Sequence, residues 1–258
     1  MNVLAGFMMT WGTFWIIPCP VKKWDESARK WMVATLPVLG LFVGMLWYCL
    51  YLLIRGLMVP SLLGAAIMTV FPFFITGHIH LDGFMDCSDA IMSRKPLDKK
   101  QKILKDSHVG AFAVISLAVM LLLFFGAMYE VMQSERMEKI AILIMMPVLT
   151  RTVSALDVLR KEPLGTSQYQ ETFEGKIKPY APLISINLMI ALAIVLVISY
   201  FVSVIHILLF ISMCIVPLVA SGFAGVHGRK ELGGMNGDIS GYSIIWGELA
   251  GIIALAIL

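Results

Sequence analysis

Charge is scarce in this sequence. Asp, Glu, Lys and Arg make up 14% of its 258 residues, roughly half the share usual in a soluble domain. That leaves too little polar surface for a separate water-facing domain, so the chain reads as one membrane-embedded domain over 1–258. Cysteine is sparse too. Cys19, Cys49, Cys87 and Cys214 are scattered, with no CxxC and no paired spacing, which argues against both a disulfide framework and a structural zinc site. No basic helix with interleaved aromatics is present, so no nucleic-acid partner is expected. The first residues lack a basic segment and a small-residue cleavage site, so no removable signal peptide is expected. There is no internal repeat, low-complexity tract or domain linker.

What the chain has in abundance is apolar sequence: 59% of residues are hydrophobic and the mean hydropathy is +0.86. A helix needs about 20 apolar residues to cross a bilayer. Apolar runs fall at 3–19, 33–54, 58–76, 110–132, 139–158, 181–200, 205–225 and 241–258. They predict an all-α, polytopic integral membrane helical bundle of six to eight transmembrane helices, in contact with membrane lipid. The first and last runs are short and carry Gly, Pro or Glu, which also suits re-entrant or interfacial segments. Nothing in the pattern excludes an oligomer.

Basic residues orient such a bundle, because Lys and Arg concentrate in cytoplasmic loops. Lys22, Lys23, Arg29 and Lys30 form one group, and Arg94, Lys95, Lys99, Lys100, Lys102 and Lys105 a second. Arg160, Lys161, Lys176 and Lys178 form a third, and Arg229 with Lys230 a fourth. If every run crosses once, these sixteen of the twenty basic residues share one side. Arg55, Arg136 and Lys139 face the other, and Arg151 lies within a span. The expectation is a membrane protein with the 77–109, 159–180 and 226–240 loops together on its cytoplasmic face.

Residues 77–112 interrupt the apolar pattern with five aspartates, three histidines and six basic residues. Asp82, Asp86 and Asp89 stand at i, i+4 and i+7, so on a helix they lie within about 60° of arc on one face. Like charges stacked in this way repel by a few tenths of a kcal/mol per pair. A divalent cation answers that arrangement directly, and Mg²⁺ prefers carboxylate oxygens while leaving positions for a substrate phosphate. The plainer reading is a solvated acidic face of an amphipathic surface helix.

Two further clusters share the expected face. In "KDSHVGAF", Lys105 and Asp106 precede Gly110 at the mouth of the next span, where an ordinary basic flank would explain the lysine alone. In "GRKELGGMNGDISG", Arg229, Lys230 and Asp238 sit among glycines whose backbone N–H groups approach anions closely, although glycine also simply makes turns. His78, His80 and Asp82 form HxHxD, a loose transition-metal pattern. His80 also suits proton transfer. Arg151 lies deep in "MMPVLTRTVSALDVL", where a charge needs a partner: an anionic ligand it reaches by snorkelling, or Asp157.

Taken together, "HLDGFMDCSDA", "KDSHVGAF", "PVLTR", "EPLGT…F" and "GGMNGDISG…GE" resemble cobalamin synthase, the adenosylcobinamide-GDP ribazoletransferase family, in order and spacing. "FWIIPCP" resembles the family's early Pro-x-Pro segment. The resemblance implies a Mg²⁺-dependent membrane enzyme. It would transfer the adenosylcobinamide phosphate group from adenosylcobinamide-GDP to α-ribazole or its 5′-phosphate, releasing GMP. It carries over Asp82, Asp86 and Asp89, then Lys105, Asp106 and Gly110, then Gly234, Gly237 and Asp238. Ala90 and Asn236 depart from the Gly and Thr common in the family, and neither change removes a carboxylate. In this reading Asp82 and Asp86 bind one or two Mg²⁺ ions with Asp89, Asp106 or Asp238. Lys105, Arg151 and Arg229 contact phosphate, with Gly110, Gly234, Asn236 and Gly237 lining the substrate, and Asp89 or His80 is the base.

Three other classes stay in view. A CDP-alcohol phosphotransferase also opens a polar helix with "DGxxD" spacing, but its Ala-Arg and later aspartate pair are missing here. An intramembrane prenyltransferase uses DxxxD to bind Mg-diphosphate, and Asp82 with Asp86 supplies a single copy. A small cation-coupled transporter needs acids in mid-span, whereas these lie at the boundary.

Overall fold

The computed structural model describes residues 2–21, 24–134, 140–165, 167, 179–202 and 207–258. Lys22, Lys23, Arg136, Lys139, Lys176 and Lys178 of the charge argument, and Thr166 and Phe173 of "EPLGT…F", lie outside them. The described chain is helical, and its only β-like pairing is one isolated parallel bridge between Pro163 and Met235. In order the helices are α1 (Asn2–Phe14), α2 (Arg29–Ala34), α3 (Leu36–Gly56), α4 (Ser61–Ile75), α5 (Ile79–Met92) and α6 (Leu97–Ile103). There follow α7 (Ala111–Gln133), α8 (Ile142–Arg160), α9 (Ala181–Val202), α10 (Ile207–Leu232) and α11 (Gly237–Ile257).

Among the described residues four of these, α3, α7, α8 and α11, are each long and apolar enough to cross a bilayer, and α4 with α5 passes the same test as a pair bent by 90°. The protein is an all-α polytopic membrane protein. Buried helices α8 and α11 form its centre, while α7 turns most of its surface outward. Small residues set the closest approaches, as they do where helices pack in lipid. A Cβ at Gly40 would stand 2.5 Å from the Pro147 carbonyl oxygen, and one at Gly44 would strike that of Ile144. This GxxxG face therefore lays α3 directly on α8.

The polar stretch after α4 is not an open loop. Gly77 (φ 63°) and His78 (φ 61°) both take left-handed backbone, which turns the chain through the right angle and starts α5. That conformation is free for glycine and costs histidine about 1 kcal/mol or more. The 226–240 segment, expected as loop, is helical as far as Leu232 because its polar residues continue α10. The helix stops at Gly233 (φ 86°), whose N–H reaches the Arg229 carbonyl at 2.8 Å, a glycine stop.

Candidate active site

Helix α5 is built with two faces. Phe84 stacks on Tyr242 of α11 with ring centres 5.9 Å apart, and Cys87 and Ala90 are buried beside it. Gly83 lies so near α11 that a Cβ there would come 2.8 Å from the Asp238 Cα; Gly241 answers it, 2.7 Å from the His80 carbonyl oxygen. With that face fixed, helical geometry turns Asp82, Asp86 and Asp89 to the other side, as their spacing predicted. All three line one small cavity together with Asp106, His108 and Gly110. Its volume is about 20 Å³, room for one water-sized occupant.

The opposite wall is held from a distance. Lys100 of α6 forms an ion pair with Glu231 of α10, and the Gln101 side-chain amide donates to the Leu232 carbonyl at 2.9 Å. These contacts anchor α6, so the loop after it falls over the aspartates. Within that loop Asp106 accepts hydrogen bonds from the His108 backbone N–H at 3.0 Å and its ring Nδ1 at 2.7 Å. The backbone bond, then the ring bond, holds the Asp106 carboxyl below the usual carboxylate range. Gly110 abuts Asp89 directly, since a Cβ there would fall on its carboxylate.

Asp238 completes the cluster from α11, and Asp82, Asp238 and Asp89 are all near enough to Asp86 to repel it. Asn236 caps α11 by accepting from the Ile239 N–H at 3.0 Å and also donates to Asp238 at 2.6 Å. A second cavity of about 270 Å³ opens here, lined by Lys105, Ser167, Asn236, Gly237 and Asp238. Its floor depends on Gly234 (φ 157°), where a Cβ would come 2.6 Å from the Leu164 nitrogen. The bare Cα lets residues 162–164 pair with Met235, through Met235 N–H to Glu162 and Leu164 N–H to Met235, both 2.8 Å. Gly234 thus shapes the floor and does not itself line the space.

Three assigned residues lie elsewhere. Arg151 is 1% exposed and bonded to Glu248 at 2.6 Å, so it does not snorkel to a ligand. Nor does it pair with Asp157, which instead holds Arg229. Six residues along a helix rotate a side chain by about 240°, which turns Asp157 away from Arg151. His80 is buried against Phe14, ring centres 5.7 Å apart, with neither ring nitrogen hydrogen-bonded. It does not line the acidic cavity. His78 is exposed, and the HxHxD pattern is not drawn together as a metal site. Glu248 and Asp157 matter more to the structure than the sequence suggested, and His108 joins the cavity wall without having been singled out.

Among the described residues, no three His, Cys or carboxylate side chains are gathered closely enough to hold a metal ion alone. Mg²⁺ does not require that, because one or two carboxylates commonly hold it with water and substrate phosphate. Carboxylate oxygens predominate over the single His108 ring, and among the described residues no lysine or arginine pairs with Asp82, Asp86, Asp89 or Asp238. The uncompensated charge and the ion-sized cavity fit a hard divalent cation.

A family model described as cobalamin-5-phosphate synthase matches residues 6–256. An adenosylcobinamide-GDP ribazoletransferase of Clostridium perfringens (strain SM101) is 35% identical over 254 residues, covering 97% of this chain and 96% of that protein. One from Clostridium botulinum (strain Alaska E43) is 34% identical over 258 residues, covering 98% and 97%. One from Halalkalibacterium halodurans is 31% identical over 232 residues, covering 88% and 85%. No solved structure matches the chain.

Proposed function

Because the chain belongs to the cobalamin-5-phosphate synthase family, we propose that it joins adenosylcobinamide-GDP to α-ribazole, or to its 5′-phosphate, with release of GMP. One observation supports this reading above others: carboxylates from α5 and the α6–α7 loop ring one cavity in which, among the described residues, no lysine or arginine pairs with them, and Asp238 stands beside them. A diphosphate substrate brought with a divalent cation matches that charge deficit. The basic loops favour the bacterial cytoplasmic membrane with this face toward the cytoplasm, where nucleotide is available.

Asp82 and Asp86 would hold Mg²⁺, with Asp106 or Asp238 completing one or two sites. Bound there, the metal supplies positive charge against the diphosphate and the departing GMP. The acceptor's ribose hydroxyl oxygen attacks the phosphorus joined to cobinamide. A new P–O bond forms, the P–O bond to GMP breaks, and the hydroxyl proton passes to Asp89. Transfer of this kind needs positioning and charge neutralisation more than covalent help from the protein. Lys105 and the start of α11 line the neighbouring cavity, where a cation and the N-terminal helix dipole favour phosphate. Asp89 takes the role of base over His80, whose ring does not reach the cavity.

The test is GMP release from adenosylcobinamide-GDP by the purified protein in liposomes. Release should require α-ribazole or its 5′-phosphate, cease with a chelator and return with Mg²⁺. Release independent of acceptor, or none at all, would overturn the reading. Gly110→Ala should lower kcat by about 10²-fold, the scale of a reacting group displaced by about 1 Å, because the added methyl collides with Asp89. Steady-state kinetics on the variant check this, and an unchanged kcat would free Asp89 from its role.

A further inference from the structure

We propose that the corrin end of adenosylcobinamide-GDP rests in a trough along α1, entering the acidic cavity past Thr13, Trp15 and Asp82. The inference rests on the reaction proposed above and assigns a subsite within it. The trough encloses about 560 Å³ between the second half of α1 and the segment that follows, among Met8, Met9, Trp15, Ile17, Pro18 and Trp24. A neighbouring space of about 340 Å³ is lined by Thr76, Gly77, His78 and Asp82. Thr13 and Trp15 line both, and Asp82 also lines the acidic cavity. Shared walls therefore set these three spaces side by side, from an apolar hollow to the aspartates.

The walls are fixed by hydrogen bonds. The Trp11 indole N–H donates to the Ile17 carbonyl at 2.8 Å, and the Ile16 N–H to the Ile75 carbonyl at 3.1 Å. Those bonds fold the chain after α1 back over it and tie it to the end of α4. A preformed, mainly apolar hollow is what a bulky ligand needs. Tryptophan gives flat faces and methionine an adaptable lining.

Charge and size decide which substrate fits. Among the described residues no charged side chain lines the trough, and its Trp, Met, Ile and Pro walls suit an amphipathic macrocycle better than a phosphate. The single acid lining the neighbouring space, Asp82, lies beside the place where the diphosphate must sit. The opposite cavity, about 270 Å³ and lined by Lys105 and Asp238, is better sized for a nucleoside. A further sign comes from Trp15, whose indole N–H is buried without a partner among the described residues. Buried donors are rarely left so, and the amide side arms of a corrin ring supply carbonyl oxygens to accept from it.

Thr13 is exposed and lines both the trough and the neighbouring space, so Thr13→Trp should plug the way between them. The KM for adenosylcobinamide-GDP should rise by about tenfold or more, while that for α-ribazole stays within about twofold. In equilibrium dialysis, adenosylcobinamide without GDP should be retained by the unaltered protein and lost by the variant. Trp15→Phe removes the N–H together with the five-membered ring while keeping an aromatic face, and should raise the donor KM alone, which keeps the question open to test if Thr13→Trp folds poorly. An unchanged donor KM in both variants, or an equal rise for both substrates, overturns the subsite and leaves the reaction standing. Absence of GMP release by the unaltered protein would instead strike the reaction itself.

Discussion

Asp82→Asn is expected to lower turnover by about 10³-fold, the scale seen when one charge-stabilising group is removed from a transition state. The substitution keeps the shape of the side chain and removes only its charge, so any loss must come from electrostatics or ligation. Its effect on folding should be slight. Asp82 is exposed, lies in the first turn of α5 and has no lysine or arginine partner among the described residues. Losing the negative charge at a helix start costs about 0.3–1 kcal/mol, and relieving repulsion from Asp86 returns a few tenths. The melting temperature in detergent should therefore stay close to that of the unaltered protein. Raising Mg²⁺ should restore part of the rate if the carboxylate is a ligand. Unchanged turnover would remove the aspartate ladder from catalysis.

The ladder was legible because helical periodicity is local: three positions on one face need only the helix to exist, and α5 exists. Gly110 was legible as a motif but its reason was not, since its fit against Asp89 depends on where α6 is anchored, through Lys100 and Glu231 far apart in sequence. The same limit governed the cations. Arg151, Asp157, Arg229 and Glu248 are four charges near the ends or middles of apolar runs, and composition cannot say which helices rotate toward each other. Only packing showed that Glu248 takes Arg151 and Asp157 takes Arg229. The 226–232 segment misled for a different reason, because polar residues end an apolar run without ending a helix. The trough beside α1 was marked in the sequence only by "FWIIPCP", whose residues supply much of its wall. Its shape was not legible, because it depends on a fold-back in which the Trp11 indole and the Ile16 N–H reach the Ile17 and Ile75 carbonyls.

Glu248→Ala should be the most destabilising single change in the central helices, at about 3–5 kcal/mol, the usual cost of leaving one member of a buried ion pair without the other. Arg151 and Glu248 are each 1% exposed, so water cannot replace the missing partner. The pair joins α8 to α11, and α11 in turn carries Asp238 and presses on α5 at Gly83. A Cβ at Gly40 would stand 3.0 Å from the Arg151 side chain, so α3 also closes around it and leaves the arginine little room to escape. Arg151→Met with Glu248→Met should recover most of the loss, because hydrophobic residues of similar length often replace a buried pair at little cost. Thermal unfolding of Arg151→Met, Glu248→Met and the double variant in one detergent checks this through the coupling energy. If Arg151 bound substrate, the double variant would regain stability yet fail to turn over. If its task is to hold α8 on α11, stability and turnover should return together.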